Sequence, residues 1–213
     1  MAIKLYGDPL SPAAQRVRVA LEEKELHYEF EYVDLSSGQH KKEPFISLNP
    51  FGVVPVLQDG DLTLFESRAV TQYIAQKYAD KGTPLVPNDP KKQAIVTVWR
   101  EVESQSFDAA ASKISFELVV KPKLGMPVDE STVAAQEGKL ASVLDIYESR
   151  LSASKYIGGD AYSLADLHHL PIINSLFHTK FKALFQARPH VSAWCEDILA
   201  RPAWKKVVET MKH

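Results

Sequence analysis

Residues 3–33 read IKLYGDPLSPAAQRVRVALEEKELHYEFEYV and contain a strand, a helix and a second strand in succession. Ile3–Gly7 has the length and composition of a short strand. Residues 12–24 place their apolar side chains near helical spacing, and Pro12 suits the first turn of a helix. Residues 28–33 alternate aromatic residues with glutamates, a period of two that predicts a half-exposed strand. The chain is therefore predicted to open with a βαβ unit.

A hairpin and a helix are predicted next. Val54-Pro55-Val56-Leu57 and Thr63-Leu64-Phe65 flank Asp59-Gly60-Asp61, whose residue types favour the turn of an antiparallel hairpin. Glu66-Ser67 then begins a helix that runs to Tyr78. This ββα segment follows the βαβ unit, so the first domain is predicted to be a mixed four-stranded sheet with helices.

A domain boundary is predicted where glycine and proline cluster, between residues 79 and 90. Gly82 and the prolines at 84, 87 and 90 exclude a regular element there. We predict an α/β domain in residues 1–80, a linker in 81–90 and an all-helical domain in 91–213.

The helical domain is inferred from apolar residues that recur at helical spacing around Ile95 and again around Leu140. Ser163-Leu164-Ala165-Asp166 has the form of a capping box, with Asp166 completing the start of a further helix. Adjacent helical histidines face different directions, so His168 and His169 are interpreted as structural and no metal site is predicted.

Composition limits the classes of partner. The 213 residues include 25 Lys and Arg against 27 Asp and Glu, a formal net charge of −2, which provides no chain-wide attraction for nucleic acid or anionic lipid. The single cysteine, Cys195, excludes an intramolecular disulfide and is interpreted as a packed core residue in a reducing compartment. No secretory signal or membrane-spanning run is recognised, so a cytoplasmic protein with no nucleic-acid or membrane partner is expected.

The loop from Asp8 to Pro12 follows the first strand and leads into the first helix, whose N-terminal amides favour an anion. A redox protein of this layout would carry a cysteine here, whereas the sequence has Ser11. A serine hydroxyl can donate a hydrogen bond to a ligand thiolate and lower the pKa of that thiol. The simpler interpretation of Ser11 is an N-cap of the helix.

Three further segments carry groups that suit a peptide ligand. A cis Val54-Pro55 bond would leave the backbone of Val54 for strand-like pairing with an extended peptide. Glu66-Ser67 could hold an amino group and a carboxylate, or could simply cap a helix. The basic cluster His40-Lys41-Lys42 could bind a second carboxylate, or could be solvated. Together they indicate a pocket for an extended peptide with an acid at each end and an amine and a thiol between.

The sequence closely resembles glutathione transferases, specifically the plant phi class, over nearly its whole length. The resemblance is carried by Gln39-His40-Lys41-Lys42-Glu43-Pro44-Phe45, Asn49-Pro50-Phe51-Gly52, Val54-Pro55, Leu64-Phe65-Glu66-Ser67-Arg68-Ala69-Val70, Ser163-Leu164-Ala165-Asp166-Leu167 and Arg201-Pro202-Ala203-Trp204-Lys205-Lys206-Val207. It implies a thioredoxin-like first domain, an all-α second domain and a homodimer. It also implies glutathione as cosubstrate with no tightly bound cofactor.

The resemblance assigns glutathione-binding roles to eight residues: Ser11 at the thiolate, His40 and Lys41 near the glycine carboxylate, Val54 by its backbone at the cysteinyl unit, Glu66 and Ser67 at the γ-glutamyl end, and Pro55 and Val53 lining the site. Glutamine is common in the family where this chain has Val53, which cannot donate a side-chain hydrogen bond.

The expected reaction is conjugation of glutathione to hydrophobic electrophiles, with glutathione-dependent reduction of hydroperoxides through the same thiolate. A non-catalytic carrier of apolar ligands is the alternative. The electrophile pocket is expected between the two domains and is mostly apolar. Its candidates are Leu10, Pro12, Leu35, Phe116, Leu118, Phe177 and Phe181, although ordinary core packing also explains such side chains.

Overall fold

The computed structural model describes residues 3–211, which form two compact units. The first unit comprises the chain up to Val86 together with the segment from Pro202 onward. The second comprises Pro87–Arg201. The break between them lies within the stretch where glycine and prolines cluster.

The first unit is a mixed sheet with helices. Its elements are β1 (Ile3–Gly7), α1 (Pro12–Glu23), β2 (Tyr28–Tyr32), a 3₁₀ turn (Gln39–Lys41), α2 (Phe45–Leu48), β3 (Val56–Asp59), β4 (Leu62–Phe65) and α3 (Ser67–Lys77). The strand order is β2-β1-β3-β4, with β1 parallel to β2 and antiparallel to β3, and β3 antiparallel to β4. The predicted four-stranded mixed sheet is confirmed.

Apolar side chains on α1, α3 and the central strands form the core of the first unit. Val17 and Leu21 of α1 and Ile74 of α3 are fully buried, as is Leu5 of β1. Burying one such side chain contributes about 1.5–3 kcal/mol relative to leaving it exposed. The two helices pack against each other, so this burial fixes α1 relative to α3.

Asp59 joins the β3–β4 hairpin to the C-terminal end of α3. One oxygen of its buried carboxylate accepts hydrogen bonds from Tyr73 Oη (2.9 Å), Lys77 Nζ (3.0 Å) and Tyr78 Oη (2.7 Å). Burial opposes ionisation of Asp59, but these three hydrogen bonds outweigh it and hold the pKa of the carboxyl below its ordinary value. Burial and the same contact raise the pKa of Tyr78 to about 12.

The last helix, α12, belongs with the first unit although it follows the helical unit in the chain. Pro202–Glu209 packs against α1, with Trp204 and Val207 buried. This segment was predicted to belong to the helical domain, because its apolar pattern is like that of the other helices. Helical periodicity identifies a helix but contains no information on which core receives its apolar face.

The second unit is helical, as predicted. After α3, its helices are α4 (Pro90–Val102), α5 (Asp108–Ser115), α6 (Lys121–Lys123), α7 (Glu130–Leu151), α8 (Leu164–Leu167), α9 (Leu170–Phe177), α10 (Lys182–Gln186) and α11 (Pro189–Leu199). Two π-helical segments, Glu103–Phe107 and Phe116–Val120, connect α4, α5 and α6 and were not predicted.

The predicted capping box at the start of α8 is confirmed. Ser163 Oγ accepts from a helix amide, and the buried Asp166 carboxylate accepts from the backbone N–H of Ser163 at 3.0 Å. Asp166 also accepts from the N–H of Ile157 (2.9 Å) and from Trp194 Nε1 (2.9 Å). Burial raises the pKa of Asp166 to about 6, although these hydrogen bonds favour the ionised carboxylate and act to lower the pKa. The carboxylate therefore connects the loop before α8 to α11.

The two histidines that follow the capping box are fully buried. His169 lies in an aromatic cluster, where its Nδ1 contacts the Ala165 carbonyl (2.8 Å) and its Nε2 contacts Tyr147 Oη (2.9 Å). Among residues 3–211, no group of three or more His, Cys, Asp or Glu side chains could hold a metal ion. Cys195 is buried, and burial raises the pKa of its thiol.

No helix within the described part of the chain is both long enough and apolar enough to cross a lipid bilayer.

Replacing Asp59 with Asn should lower the free energy of unfolding at pH 7 by about 1–3 kcal/mol, because Lys77 and two tyrosines lose a charged acceptor. The folded pKa of Asp59 lies below its unfolded value, so the carboxylate stabilises the fold above about pH 4. That stabilisation is lost as the pH falls through the folded pKa. The stability gap between wild type and Asp59→Asn should therefore narrow from pH 7 to pH 3.

Urea titrations across this pH range measure the gap. Asp61, which is exposed in the same turn, provides the matched control, and Asp61→Asn should change stability little. Equal losses in the two variants would contradict the role given to Asp59.

Candidate active site

Four loops that carry predicted site residues meet at one end of the sheet. In the antiparallel β1–β3 pair, Tyr6 at the end of β1 is opposite Val56 at the start of β3. Val56 is also paired with Phe65 at the end of β4, and Gly7 with Tyr32 at the end of β2. The chain segments that leave β1, β2 and β4 and the segment that enters β3 therefore emerge side by side. Ser11 follows β1, His40-Lys41 follows β2 and Glu66-Ser67 follows β4, whereas Val54-Pro55 precedes β3.

Ser11 is the N-cap of α1, with Pro12 in the first turn. Its Oγ accepts from the backbone N–H of Ala14 at 3.4 Å, a long contact that uses an oxygen lone pair and leaves the hydroxyl proton available to donate. The backbone N–H of Ser11 donates to the carbonyl of Asp8 at 3.0 Å. Capping a helix and donating to a bound anion are therefore compatible roles for this hydroxyl.

The loop that precedes His40 is organised by Asp34. Its Oδ1 accepts from the backbone N–H of Ser36 (2.8 Å), the hydroxyl of Ser36 (2.6 Å) and the backbone N–H of Ser37 (3.2 Å). These hydrogen bonds hold the pKa of Asp34 at about 2. Gln39 Oε1 accepts from the backbone N–H of Asp34 at 2.8 Å, so the loop is closed by the first residue of the 3₁₀ turn.

The basic cluster separates into three different environments. Lys42 Nζ donates to the carbonyl of Ser37 (3.2 Å), within its own loop. Lys41 Nζ donates to the carbonyl of Phe51 (3.2 Å), which turns it toward the loop of residues 49–53. His40 Nδ1 is buried, and no group within residues 3–211 forms a hydrogen bond with it.

Asn49, which was not predicted as a site residue, holds the loop that leads to Val54. The side chain is fully buried, donates from Nδ2 to the carbonyl of Val53 (2.7 Å) and accepts at Oδ1 from the N–H of Phe51 (3.1 Å). Gly52 has a φ of 57° and lies so close to the 3₁₀ turn that a Cβ there would be 2.8 Å from the carbonyl oxygen of His40. The loop and the turn therefore pack directly against each other.

The Val54–Pro55 peptide bond is cis, and Pro55 is buried. Val54 is half-buried, and Val53 is exposed by 43%. Among the described residues, neither the N–H nor the C=O of Val54 pairs with another backbone group.

Glu66 has an unusual backbone conformation for a non-glycine residue, with φ 69° and ψ 102°. Such conformations cost about 1–3 kcal/mol and occur at functional sites more often than elsewhere. The Glu66 side chain is exposed, whereas Ser67 is buried and accepts from Nη1 of the buried Arg16 at 3.4 Å. Arg16 was not predicted as a site residue, because a single arginine on a helix carries no signal of its partner.

The predicted electrophile-pocket residues are distributed over both units. Leu10, Pro12 and Leu35 belong to the first unit, and Leu10 is exposed by 56%. In the second unit, Phe116 is exposed and Phe181 is buried, which favours core packing for Phe181. Leu118 and Phe177 are half-buried, and the Phe177 ring packs against Phe185 with centroids 5.4 Å apart. The pocket itself stays a prediction.

Comparison with known proteins agrees with the fold. A family model of the glutathione S-transferase N-terminal domain matches residues 1–76, and one of the C-terminal domain matches residues 107–202. A glutathione S-transferase from Hyoscyamus muticus is 62% identical over 98% of this chain and 99% of its own length.

Two solved structures extend the likeness. Glutathione transferase F7 from Populus trichocarpa has a TM-score of 0.96 and 48% identity, covering 99% of both chains. Glutathione S-transferase I from maize, in complex with an atrazine glutathione conjugate, has a TM-score of 0.92 and 40% identity, covering 100% of this chain and 99% of that one. The chain belongs to the glutathione S-transferases, in the plant phi class.

Replacing Gly52 with Ala should raise the KM for glutathione about three- to tenfold, because the added Cβ displaces the backbone of His40 and the side chain of Lys41. Gly60 provides a matched control, since it also has a positive φ (67°) but has no neighbouring atom within 4 Å of the position that an added Cβ would take. Both variants strain the backbone, but Gly60→Ala should leave the KM unchanged. Steady-state kinetics measure both, and an equal rise in KM would contradict the packing argument.

Proposed function

We propose that this glutathione S-transferase ionises the thiol of bound glutathione through a hydrogen bond donated by Ser11. The observation that carries the proposal is the position of Ser11 Oγ at the N-cap of α1, with its hydroxyl proton available to donate. The peptide dipoles of α1 place a partial positive charge at the same end, which also favours a thiolate.

The magnitude is adequate for catalysis near neutral pH. A free thiol with a pKa of about 8.5 is only a few per cent ionised at pH 7. Lowering the pKa by about two units requires roughly 2.7 kcal/mol in favour of the thiolate. A hydrogen bond to a charged group supplies about 1.5–3 kcal/mol, and a helix N-terminus adds about 0.3–1 kcal/mol.

The rest of the tripeptide is proposed to lie across the end of the sheet. Val54 would pair through its free backbone N–H and C=O with the cysteinyl unit, beside Val53 and Pro55. His40 and Lys41 would bind the glycine carboxylate. The buried, unpartnered Nδ1 of His40 and the exposed ammonium of Lys41 support this assignment.

The γ-glutamyl end would be held by Glu66 and Ser67. The exposed Glu66 carboxylate suits an ammonium group, and the first-turn amides of α3 suit a carboxylate. The strained backbone of Glu66 is consistent with a functional position.

Two reactions follow from one nucleophile. In conjugation, the thiolate sulfur forms a bond to an electrophilic carbon and displaces a leaving group such as halide. In hydroperoxide reduction, two glutathione molecules are oxidised to the disulfide while the hydroperoxide is reduced to an alcohol and water. The maize relative solved with an atrazine glutathione conjugate supports conjugation as a reaction of this chain.

A non-catalytic carrier of apolar ligands is the second candidate, supported by the exposed apolar side chains Phe116, Val120, Leu124 and Met126 in the helical unit. A carrier would bind such ligands whether or not glutathione is present, whereas the enzyme would consume an electrophile only in its presence.

A homodimer is also proposed. Exposed apolar side chains on each unit support it, with Phe51 and Leu62 on the first and Ile95, Val98 and Ile146 on the second. Sedimentation equilibrium should give about twice the 23.8 kDa mass of one chain, and a single-chain mass would contradict the proposal.

We also propose a cytoplasmic location. The chain has one cysteine, which is buried and free, and this usage suits a reducing compartment.

Replacing Ser11 with Gly or with Ala should lower kcat with a halogenated dinitrobenzene about 10²-fold at pH 6.5, with the KM for glutathione changing little, because the thiolate loses its hydrogen-bond donor. Comparing the two variants distinguishes loss of the helix N-cap from loss of the hydrogen bond to the thiolate. Alanine at an N-cap costs about 1 kcal/mol of stability, whereas glycine costs a few tenths.

Ser11→Gly should therefore be nearly as stable as wild type and as inactive as Ser11→Ala. Stopped-time assays and urea titrations measure activity and stability in the same preparations. Wild-type turnover in Ser11→Gly would show that the residue acts only as a cap.

A further inference from the structure

Gln15 connects the Ser11 loop to the body of the first unit. Its side chain is almost fully buried on α1, one turn after Ser11, and its Nε2 donates to the backbone carbonyl of Pro9 at 2.9 Å. The same nitrogen contacts Met211 Sδ at 3.5 Å. The amide nitrogen therefore faces a backbone carbonyl and a thioether sulfur, a strong and a weak acceptor, which defines the orientation of the side chain.

Two other hydrogen bonds of the loop are internal to it. Asp8 Oδ1 accepts from the N–H of Leu10 (2.7 Å), and the carbonyl of Asp8 accepts from the N–H of Ser11 (3.0 Å). These bonds define the shape of the turn but do not attach it to the helix below. The helix holds the Ser11 end of the turn through the backbone N–H of Gln15, which donates to the Ser11 carbonyl (2.9 Å), and the N–H of Ala14, which donates to Ser11 Oγ (3.4 Å). The Gln15 side chain attaches the Pro9 end of the same turn to α1.

The C-terminal segment lies along the same face of α1. Arg18 donates to the hydroxyl of Thr210, and Glu22 forms an ion pair with Lys206 (2.6 Å). Gln15, Arg18 and Glu22 are spaced three and four residues apart, so they share one face of the helix. Gln15 is at the end of this face that adjoins Ser11.

We propose that Gln15 is a positioning residue for catalysis, which holds the Pro9 carbonyl and thereby the Ser11 hydroxyl in the orientation that stabilises the glutathione thiolate. This inference rests on the proposed function of Ser11. A hydrogen bond prefers an angle above about 150° and weakens steeply below about 120°, so a loop that can tilt stabilises the anion less. Catalytic groups need supporting contacts that restrict them to about 0.5 Å and 10–20°.

The test is the pKa of the bound glutathione thiol in Gln15→Met, which keeps the length and packing of the side chain but cannot donate to Pro9. Its bound-thiol pKa should be about 0.5–1 unit above that of wild type, and kcat/KM at pH 6.5 should fall about three- to tenfold. At pH 9 the difference in rate should disappear, because the thiol ionises without assistance. A loss of general stability would not produce this pH dependence.

Gln15→Glu provides a second variant if Gln15→Met folds poorly. It also loses the donor and adds a negative charge close to Ser11, so its bound-thiol pKa should rise further. Glu22→Gln is the matched control, because it weakens a contact between α1 and the C-terminal segment at the far end of the same face. It should leave the thiol pKa and the pH profile as in wild type.

The outcomes separate this inference from the function on which it depends. A raised thiol pKa in Ser11→Gly but a wild-type value in both Gln15 variants would overturn the role of Gln15 and leave that of Ser11 intact. An equal rise of the thiol pKa in Glu22→Gln and Gln15→Met would also overturn the role of Gln15. Any weakening of the contacts of α1 would then be enough to raise the thiol pKa. A wild-type thiol pKa in Ser11→Gly would contradict the proposed function itself.

Discussion

Antiparallel pairing of β1 with β3 determines where the proposed glutathione site lies. With Tyr6 opposite Val56, the loop that ends in Ser11 and the loop that ends in Val54-Pro55 leave the sheet at the same place. The pairing of Val56 with Phe65 adds the turn into α3. A slip of one residue in either register would reverse which side chains face the core, so burial of apolar residues specifies both registers. The position of the site is therefore a consequence of core packing.

The predicted site residues lie on loops, and short hydrogen-bond networks hold these loops in place. Asp34 organises the segment before His40, Asn49 the segment before Val54, and Gln15 the segment before Ser11. Each of these side chains bonds to backbone groups of a loop, which replaces the ladder bonds that a strand or helix would provide. These loops present polar groups at the end of the sheet, and apolar packing of α1 and α3 supports them.

Much of this arrangement is predictable from sequence, because it depends on local patterns. The strand predicted from alternation in residues 28–33, the hairpin turn around Gly60 and the capping box at Ser163 each have a short-range physical cause, and all three elements are present in the structure. Burial alternates only up to Glu31, because Tyr32 is exposed. Ser11 could be placed at a helix start for the same reason. The resemblance to phi-class enzymes connected these local predictions into one pocket.

Features that depend on contacts between distant residues were not predictable in this way. The packing of α12 on α1, the bond from Arg16 to Ser67 and the contact of Gln15 with Met211 join segments that no periodicity relates. The positive φ of Glu66 was also unforeseen, because glutamate has no intrinsic preference for that region.

We propose above all that the protein acidifies the glutathione sulfur, and ultraviolet difference titration of glutathione bound to the wild-type enzyme measures this acidification. The thiol should lose its proton about two pH units lower on the enzyme than in water. Identical titration curves for bound and free glutathione would contradict the claim.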